Sequence, residues 1–394
     1  MKNIAIINVG NDGSTGKIAI NLLGYFLQNH YGTTFYYGRG NKDDNNNHVR
    51  FESLPEVLFH ALAARITGLQ GYFSFWATCR LINQLKKRNT DTVIMINPQT
   101  YYLNERLLYS FIAKRNLRFI YIMPDSYAYL GKCCIHHACN NYITGNGKCP
   151  NKRCYPKSWF FDTCSFIIKN KEKYYAKMKR ALFLGPEFVI NKVKKSYLGN
   201  IMKTAILDEA IDLDLYKPQD ASSLREKLCI ANDKVIILCV APQYKNVDLF
   251  QQVADCMRGE EKYVFVHAGT GDFVSHDNFI HVGFIEKDSD LALYYSMADL
   301  FLFPSTSDTM SNACLEALAC GTPLLVFDIS GMPYLLDETV GTLVEPGNVE
   351  ELVAVVRKTT KKTFSLIQTC REYAVKRYDM KKYASKVEAF AKEL

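Results

Sequence analysis

Short apolar runs alternate with segments of helical period along the whole chain, and this alternation limits the fold more than any other feature. Runs over 4–9, 34–37, 92–96 and 118–123 read as buried strands, with helices over about 17–29, 73–87 and 105–115 between them. Strands separated by helices pair in parallel, so the order predicts βα units. The pattern resumes near 205, with strands over 235–240, 263–267, 300–303 and 324–327 and helices over 247–257, 291–297, 312–319 and 349–357. A chain of 394 residues exceeds one ordinary core. Domains over 1–204 and 205–377 are therefore predicted, with a linker at 211–220 (IDLDLYKPQD) and a separate closing helix over 378–394. Parallel sheets bind ligands at the carboxyl ends of their strands, so two facing sheets predict an active site in the cleft between them.

Composition narrows the setting. Hydrophobic residues make up 48% and aromatic residues 13% of the chain, enough for two packed cores without a disordered tract. The run at 4–9 reads as a first strand and no signal-peptide cleavage site precedes it, so no leader is expected. The longest apolar runs, 235–240 and 300–303, are far shorter than the roughly 20 residues that span a bilayer. Thirteen cysteines in such a chain imply reduced thiols and a cytoplasmic setting.

Charge is uneven. Positions 1–205 hold 29 Lys and Arg against 11 Asp and Glu, whereas the remainder holds 19 against 29. A basic half suits an anionic membrane surface, nucleic acid or a phosphorylated substrate, or is simply a solvated face. The densest basic stretch, 169–180 (KNKEKYYAKMKR), runs into ALFL at 181–184 and reads as an interfacial helix. No recognised nucleic-acid-binding motif accompanies the charge, so nucleic acid is not expected as a partner.

Several segments carry chemistry. The strand at 300–303 ends at Pro304, a polar loop follows, and a helix opens near Ser311 and Asn312, whose free amides suit a diphosphate without a metal. Glu316, one turn in, can accept two hydrogen bonds from a ribose diol or be a surface helix acid; Ala313, Leu315, Ala317 and Leu318 around it favour a semi-buried, functional place. Asp308 can reach sugar hydroxyls or cap the helix. Gly13, Ser14, Thr15, Gly16 and Lys17 follow the first strand and open the first helix, offering a second anion seat or only a tight turn. Cys133, Cys139, Cys149 and Cys154, with His136 and His137 among them, can hold structural zinc or form a loop of free thiols.

The ordered motifs GTG (269–271), HVGFI (281–285), the stretch YYSMADLFLFPSTSDTMSNACLEALACGTPLLVFDISG (294–331) and GTLVEPGNVEEL (341–352) resemble the donor-binding half of glycosyltransferase family four, retaining enzymes of GT-B fold. Asp308 and Glu316 stand at the spacing of that family's paired acids. With GRG (38–40), PQTYYLN (98–104), GKC (131–133) and YPKSWFFD (155–162), the chain resembles the colanic-acid and capsule type over nearly its whole length. The resemblance implies two doubly wound domains facing a cleft, with the closing helix packed back on the N-terminal domain. It also implies sugar transfer from a nucleoside diphosphate sugar to a saccharide, on a lipid-linked precursor of a bacterial surface polysaccharide, by a metal-independent enzyme peripheral to the inner face of the cytoplasmic membrane. Lys245 and the amides near Ser311 and Asn312 would stabilise the leaving diphosphate, and Asp125 would complete the catalytic set. Three departures stand out: Pro124 precedes Asp125 where relatives have His, Lys245 alone remains of an Arg-Lys pair, and Glu209 and Ala210 replace Asn-Gly. They motivate an alternative, a catalytically degenerate nucleotide-binding or scaffolding protein.

Overall fold

The computed structural model describes residues 1–42, 45–134, 139–306 and 308–394. They form two compact units, one of residues 1–208 with 381–394 and one of residues 209–380. The first holds seven strands: β1 (Asn3–Gly10), β2 (Gly32–Arg39), β3 (His48–Arg50), β4 (Thr92–Met95), β5 (Arg118–Ile122), β6 (Ala181–Gly185) and β7 (Thr204–Ile206). The second holds six: β8 (Val235–Val240), β9 (Tyr263–Ala268), β10 (Phe279–Gly283), β11 (Leu300–Phe303), β12 (Leu324–Phe327) and β13 (Gly341–Val344). Their spatial orders are β3-β2-β1-β4-β5-β6-β7 and β10-β9-β8-β11-β12-β13. Every strand pair is parallel, as the alternation predicts.

Helices cover both faces of such sheets, so their strands are apolar throughout. Ile6 and Ile7, neighbours on opposite faces of β1, are both fully buried, and so are Ile236, Ile237 and Leu238 of β8. Local chemistry sets the helix ends. Ser53 and Glu56 close a capping box on the helix Leu54–Thr67, which stops at Gly68 with φ of 75°. Asn348 and Thr363 accept amide hydrogens at the starts of Val349–Lys358 and Phe364–Arg377.

Three expectations change. The first helix runs over Gly13–Gln28, so the segment Gly13 to Lys17 is its opening turn rather than a loop ahead of it. The basic stretch at 169–180 is not one continuous helix running into ALFL: its helix, Cys164–Tyr175, ends within it and buries Lys171, and the apolar residues that follow form the interior strand β6. Lys171 Nζ donates to the carbonyls of Tyr127, Leu130 and Gly131, which satisfies the buried ammonium. The segment at 211–220 is no free linker at its start, since Ile211 N donates to Tyr378 O. No helix among the described residues is long and apolar enough to cross a membrane.

The closing helix, Met380–Glu393, belongs to the first unit from Lys381 onward. Glu388 accepts from the hydroxyls of Tyr25 (2.7 Å) and Tyr31 (2.6 Å) and pairs with Lys392 (2.6 Å). Burial alone would raise the Glu388 carboxyl, but the bonds from Lys392, Tyr31 and Tyr25 hold it down to about 2. A depressed carboxyl stabilises the fold above its unfolded pKa and loses that contribution as pH falls. Glu388→Gln should therefore lower the melting temperature near neutrality, and its deficit should shrink as pH drops from about 5 towards the folded value. Thermal melts across that range check this, and a constant deficit would assign the effect to shape rather than charge.

Candidate functional site

In the second unit the chain moves outward from β8 to β9 and β10, then returns to place β11 on the other side of β8. The helices after β8 and β11 leave the carboxyl ends in opposite directions, which opens a crevice there. Two loops meet at it, 241–246 after β8 and 304–311 after β11. Lys245 Nζ lies 2.8 Å from both carboxylate oxygens of Asp308. Beside them Asn246, held at φ of 61°, donates to Thr306 Oγ1 (2.9 Å).

Backbone packing fixes these loops. A Cβ on Gly331 would come 1.4 Å from Thr309 O, so the β12 loop closes over the β11 loop only because position 331 lacks a side chain. Gly269, with φ of 152°, also approaches a backbone carbonyl, that of Ala241, from which a Cβ would sit at 2.0 Å. His267 stands below it, buried, with Nε2 2.9 Å from Ala241 O and Nδ1 2.9 Å from His281 Nδ1. A carbonyl only accepts, so the His267 proton sits on Nε2 and His281 donates through its Nδ1. Burial, countered by the Ala241 bond and reinforced by His281, holds His267 below its ordinary pKa and thus neutral.

The helix Asn312–Ala319 starts at Ser311, its N-cap, which is buried. No acidic residue occupies its first turn, so the positive end of the helix faces the crevice without a built-in counter-charge. Asp308 is therefore not the cap: its carboxylate belongs to Lys245. Glu316 is 7% exposed, and its Oε2 accepts from Tyr295 OH at 2.9 Å. Tyr216 is a second neighbour, its hydroxyl held well above the usual range by burial and by Glu316. The sequence pairs Asp308 with Glu316 by spacing; the structure gives them separate partners on one loop and helix. Tyr295, Asn246 and Gly331 escaped sequence reasoning, although Tyr295 lies in the YYSMAD run and Gly331 closes the same motif.

The first unit carries the other predicted residues. Gly13, Ser14, Thr15 and Gly16 form the opening turn after β1, again without an acidic residue. Asn8 Nδ2 bonds Gly10 O (2.8 Å) and Thr15 Oγ1 (3.2 Å), and a Cβ on Gly16 would strike the backbone of Asn11 at 2.7 Å. Asp125, just past β5, is gripped by Gln99 Nε2 and by Tyr127 N (2.8 Å). Burial pushes its carboxyl up to about 7, against the pull of the Tyr127 amide, the Lys171 ammonium and Gln99. Deeper in, burial raises the carboxyl of Glu105, partly offset by Lys171 and by the Tyr127 hydroxyl. Of the predicted metal ligands, Cys133, Cys139, Cys149 and Cys154 line one cavity, joined by Cys164, which sequence reasoning missed. His136 and His137 lie outside the described residues.

Residues 234–362 match the model of a family described as glycosyl transferases group 1. The alpha-monoglucosyldiacylglycerol synthase of Streptococcus pneumoniae is 33% identical over 133 residues, 30% of this chain and 29% of that protein. The synthase of the same name from Acholeplasma laidlawii is 25% identical over 302 residues, covering 70% and 69%. A D-inositol 3-phosphate glycosyltransferase from Geodermatophilus obscurus is 25% identical over 207 residues, 45% of each chain. Among solved structures, sucrose-phosphate synthase from Thermosynechococcus elongatus superposes with a TM-score of 0.68 at 12% identity, over 100% of this chain and 99% of that one. HepE of Anabaena in complex with UDP-glucose gives 0.66 at 12% identity over 100% of both. The fold is GT-B.

Two predictions follow from the geometry. Gly331→Ala should displace the Thr309 carbonyl and cost about 1–3 kcal/mol, read from denaturant midpoints. Raising the Asp125 carboxyl means that the folded state binds its proton more tightly than the unfolded chain, so stability falls as pH rises from the ordinary carboxylate range to about 7. Asp125→Asn keeps an acceptor for Tyr127 N and has nothing to titrate. It should gain on wild type by roughly 4 kcal/mol between acidic and slightly basic pH, read from denaturant midpoints across that range.

Proposed function

We propose that this chain is a retaining glycosyltransferase that moves a sugar from a nucleoside diphosphate donor, bound by the second unit, to a saccharide acceptor. The observation that carries the reading is the switch-point crevice, where Lys245, Asp308 and the unopposed start of the helix Asn312–Ala319 stand together. A diphosphate there would take hydrogen bonds from the amides near Ser311 and Asn312 and the charge of Lys245, which needs no metal. Asp308 would exchange part of its hold on Lys245 for sugar hydroxyls, and the Glu316 carboxylate would accept from the ribose hydroxyls.

In the transfer the C1–O bond to the diphosphate breaks and the acceptor oxygen bonds C1 from the same face. The acceptor proton passes to a donor phosphate oxygen, and the nucleoside diphosphate leaves. Preorganised donors around that oxygen would stabilise the charge it gains. The amides of Gly13, Ser14, Thr15 and Gly16 supply a second anion seat in the first unit, and Asp125, poised near neutrality, is assigned to a sugar hydroxyl.

The acceptor is proposed to be lipid-linked, a precursor of bacterial surface polysaccharide, reached from the inner face of the cytoplasmic membrane. Support comes from the basic first unit and from the helix Leu54–Thr67. Its residues Leu54, Leu58, Phe59 and Leu62 are all more than half exposed on one side, and Trp76 and Phe160 are exposed as well. Among the relatives, two are named for diacylglycerol glycosylation. A fold neighbour, WaaG, is described as acting in lipopolysaccharide biosynthesis.

The alternative, a nucleotide-binding scaffold without turnover, has one observation in its favour: Lys245 is already neutralised by Asp308, so it gives less to a departing diphosphate. Calorimetric titration with UDP and GDP in EDTA separates the readings when paired with a donor-hydrolysis assay. The enzyme reading expects one nucleotide to bind, Lys245→Met to weaken it about tenfold or more through loss of a charge-assisted bond, and donor turnover. Binding without turnover of any donor sugar favours the scaffold, and binding of neither nucleotide removes both. In sedimentation with anionic vesicles, the double variant Leu58→Ser, Phe59→Ser should stay in the supernatant while wild type pellets at low salt.

A further inference from the structure

About 40 residues separate β5, which ends at Ile122, from the helix that starts at Cys164, and among the described residues between them the four-residue helix Asn141–Thr144 is the one helix or strand. So long an irregular segment inside a compact unit needs ties other than secondary structure. Buried Lys132 provides one: its ammonium donates to the carbonyls of Lys152 (2.8 Å), Cys154 (3.2 Å) and Pro156 (2.9 Å). The wall of a cavity of about 220 Å³ within this segment suggests a second, because Cys133, Cys139, Cys149, Cys154 and Cys164 all line it.

We propose that this cavity is a structural zinc site in which Cys133, Cys149 and Cys164 supply three thiolates and Cys139 or Cys154 the fourth. Cys149 Sγ and Cys164 Sγ lie, with an oxygen of Asp162, within 4.8 Å of one another. Zinc–sulfur bonds of about 2.3 Å in a tetrahedron bring sulfurs to about 3.8 Å apart, so a small inward shift closes the site. The Cys133 thiol is a hydrogen-bonding neighbour of Cys149, which brings a third sulfur to the edge of this cluster. All five are free thiols.

Asp162 is the outer support rather than a ligand. Its two oxygens accept from Cys149 N (2.7 Å) and Cys164 N (3.1 Å), which fixes the backbone of two ligands at once. Four thiols binding one Zn²⁺ release four protons and leave two negative charges. Lys132, whose ammonium acts on Cys133, Cys149 and Cys154, offsets part of that charge. Soft thiolates without a carboxylate or water position suit zinc in a closed, non-catalytic role. Bound there, the ion would join the start of the segment (Cys133), its middle (Cys149) and the first residue of the following helix (Cys164).

The test is elemental analysis of the full chain, purified under reducing conditions without added metal. One zinc per chain is expected in wild type and in Cys256→Ser, an exposed cysteine of the second unit, with loss to background in Cys149→Ser and Cys164→Ser. Because the serine variants can fail to fold, wild type is also titrated with an organomercurial while a zinc dye reports release: zinc should leave as four thiols react. Cobalt exchanged into the site should show the thiolate charge-transfer absorption of a four-sulfur centre. Wild type without zinc, a mass deficit of two hydrogens that reveals a disulfide among these cysteines, or zinc retained in the Cys149→Ser, Cys164→Ser double variant would each overturn the assignment.

Discussion

Parallel pairing of β8 with β11 is the constraint on which the second unit depends. These strands are far apart in sequence, and joining them side by side leaves the loops after both at one edge of the sheet. Everything chemically notable there follows from keeping that edge open yet ordered. Gly269 and Gly331 let backbones touch where a side chain would wedge them apart. His267 carries the carbonyl of Ala241 from beneath, and the ion pair of Lys245 and Asp308 holds the two loops to each other. The polar groups that a bound anion would need are thus oriented by backbone packing.

The sheets were legible in the sequence because strands buried on both faces are unbroken apolar runs. The run at 300–303 and the helix over 312–319 come out at the boundaries the sequence predicts. The partners of the site residues were not legible. Lys245 and Asp308 are 63 positions apart, and a pattern of period two or 3.6 carries no trace of a contact over that distance. Glu316 has the spacing of a ligand, yet which hydroxyls surround it is decided by the packing of the helix Asp288–Met297, where Tyr295 lies. The basic stretch at 169–180 misled for a related reason: a lysine looks solvated in a sequence, and only the fold shows three carbonyls converging on Lys171.

In the first unit, charge takes the place that regular hydrogen bonding holds elsewhere. Lys171 gathers carbonyls from 127–131 and Lys132 gathers them from 152–156, so two ammonium groups order the ends of a segment whose described residues join no strand ladder. Breaking such a buried charge cluster typically costs about 3–5 kcal/mol, because the remaining groups are stranded. Asp125 sits at the edge of this network, close enough to Lys171 to feel its charge and buried enough to keep a proton near neutrality. Its titration is therefore coupled to how well the irregular segment is packed.

The closing helix gives the chain an unusual order of assembly. Its residues from 381 complete the unit that begins at residue 1, while residues 209–380 build the other. On a ribosome, the hydroxyls of Tyr25 and Tyr31 emerge more than 350 positions before Glu388, their acceptor. The first-made unit must therefore wait, with one helical face bare, until the later unit has been synthesised in full.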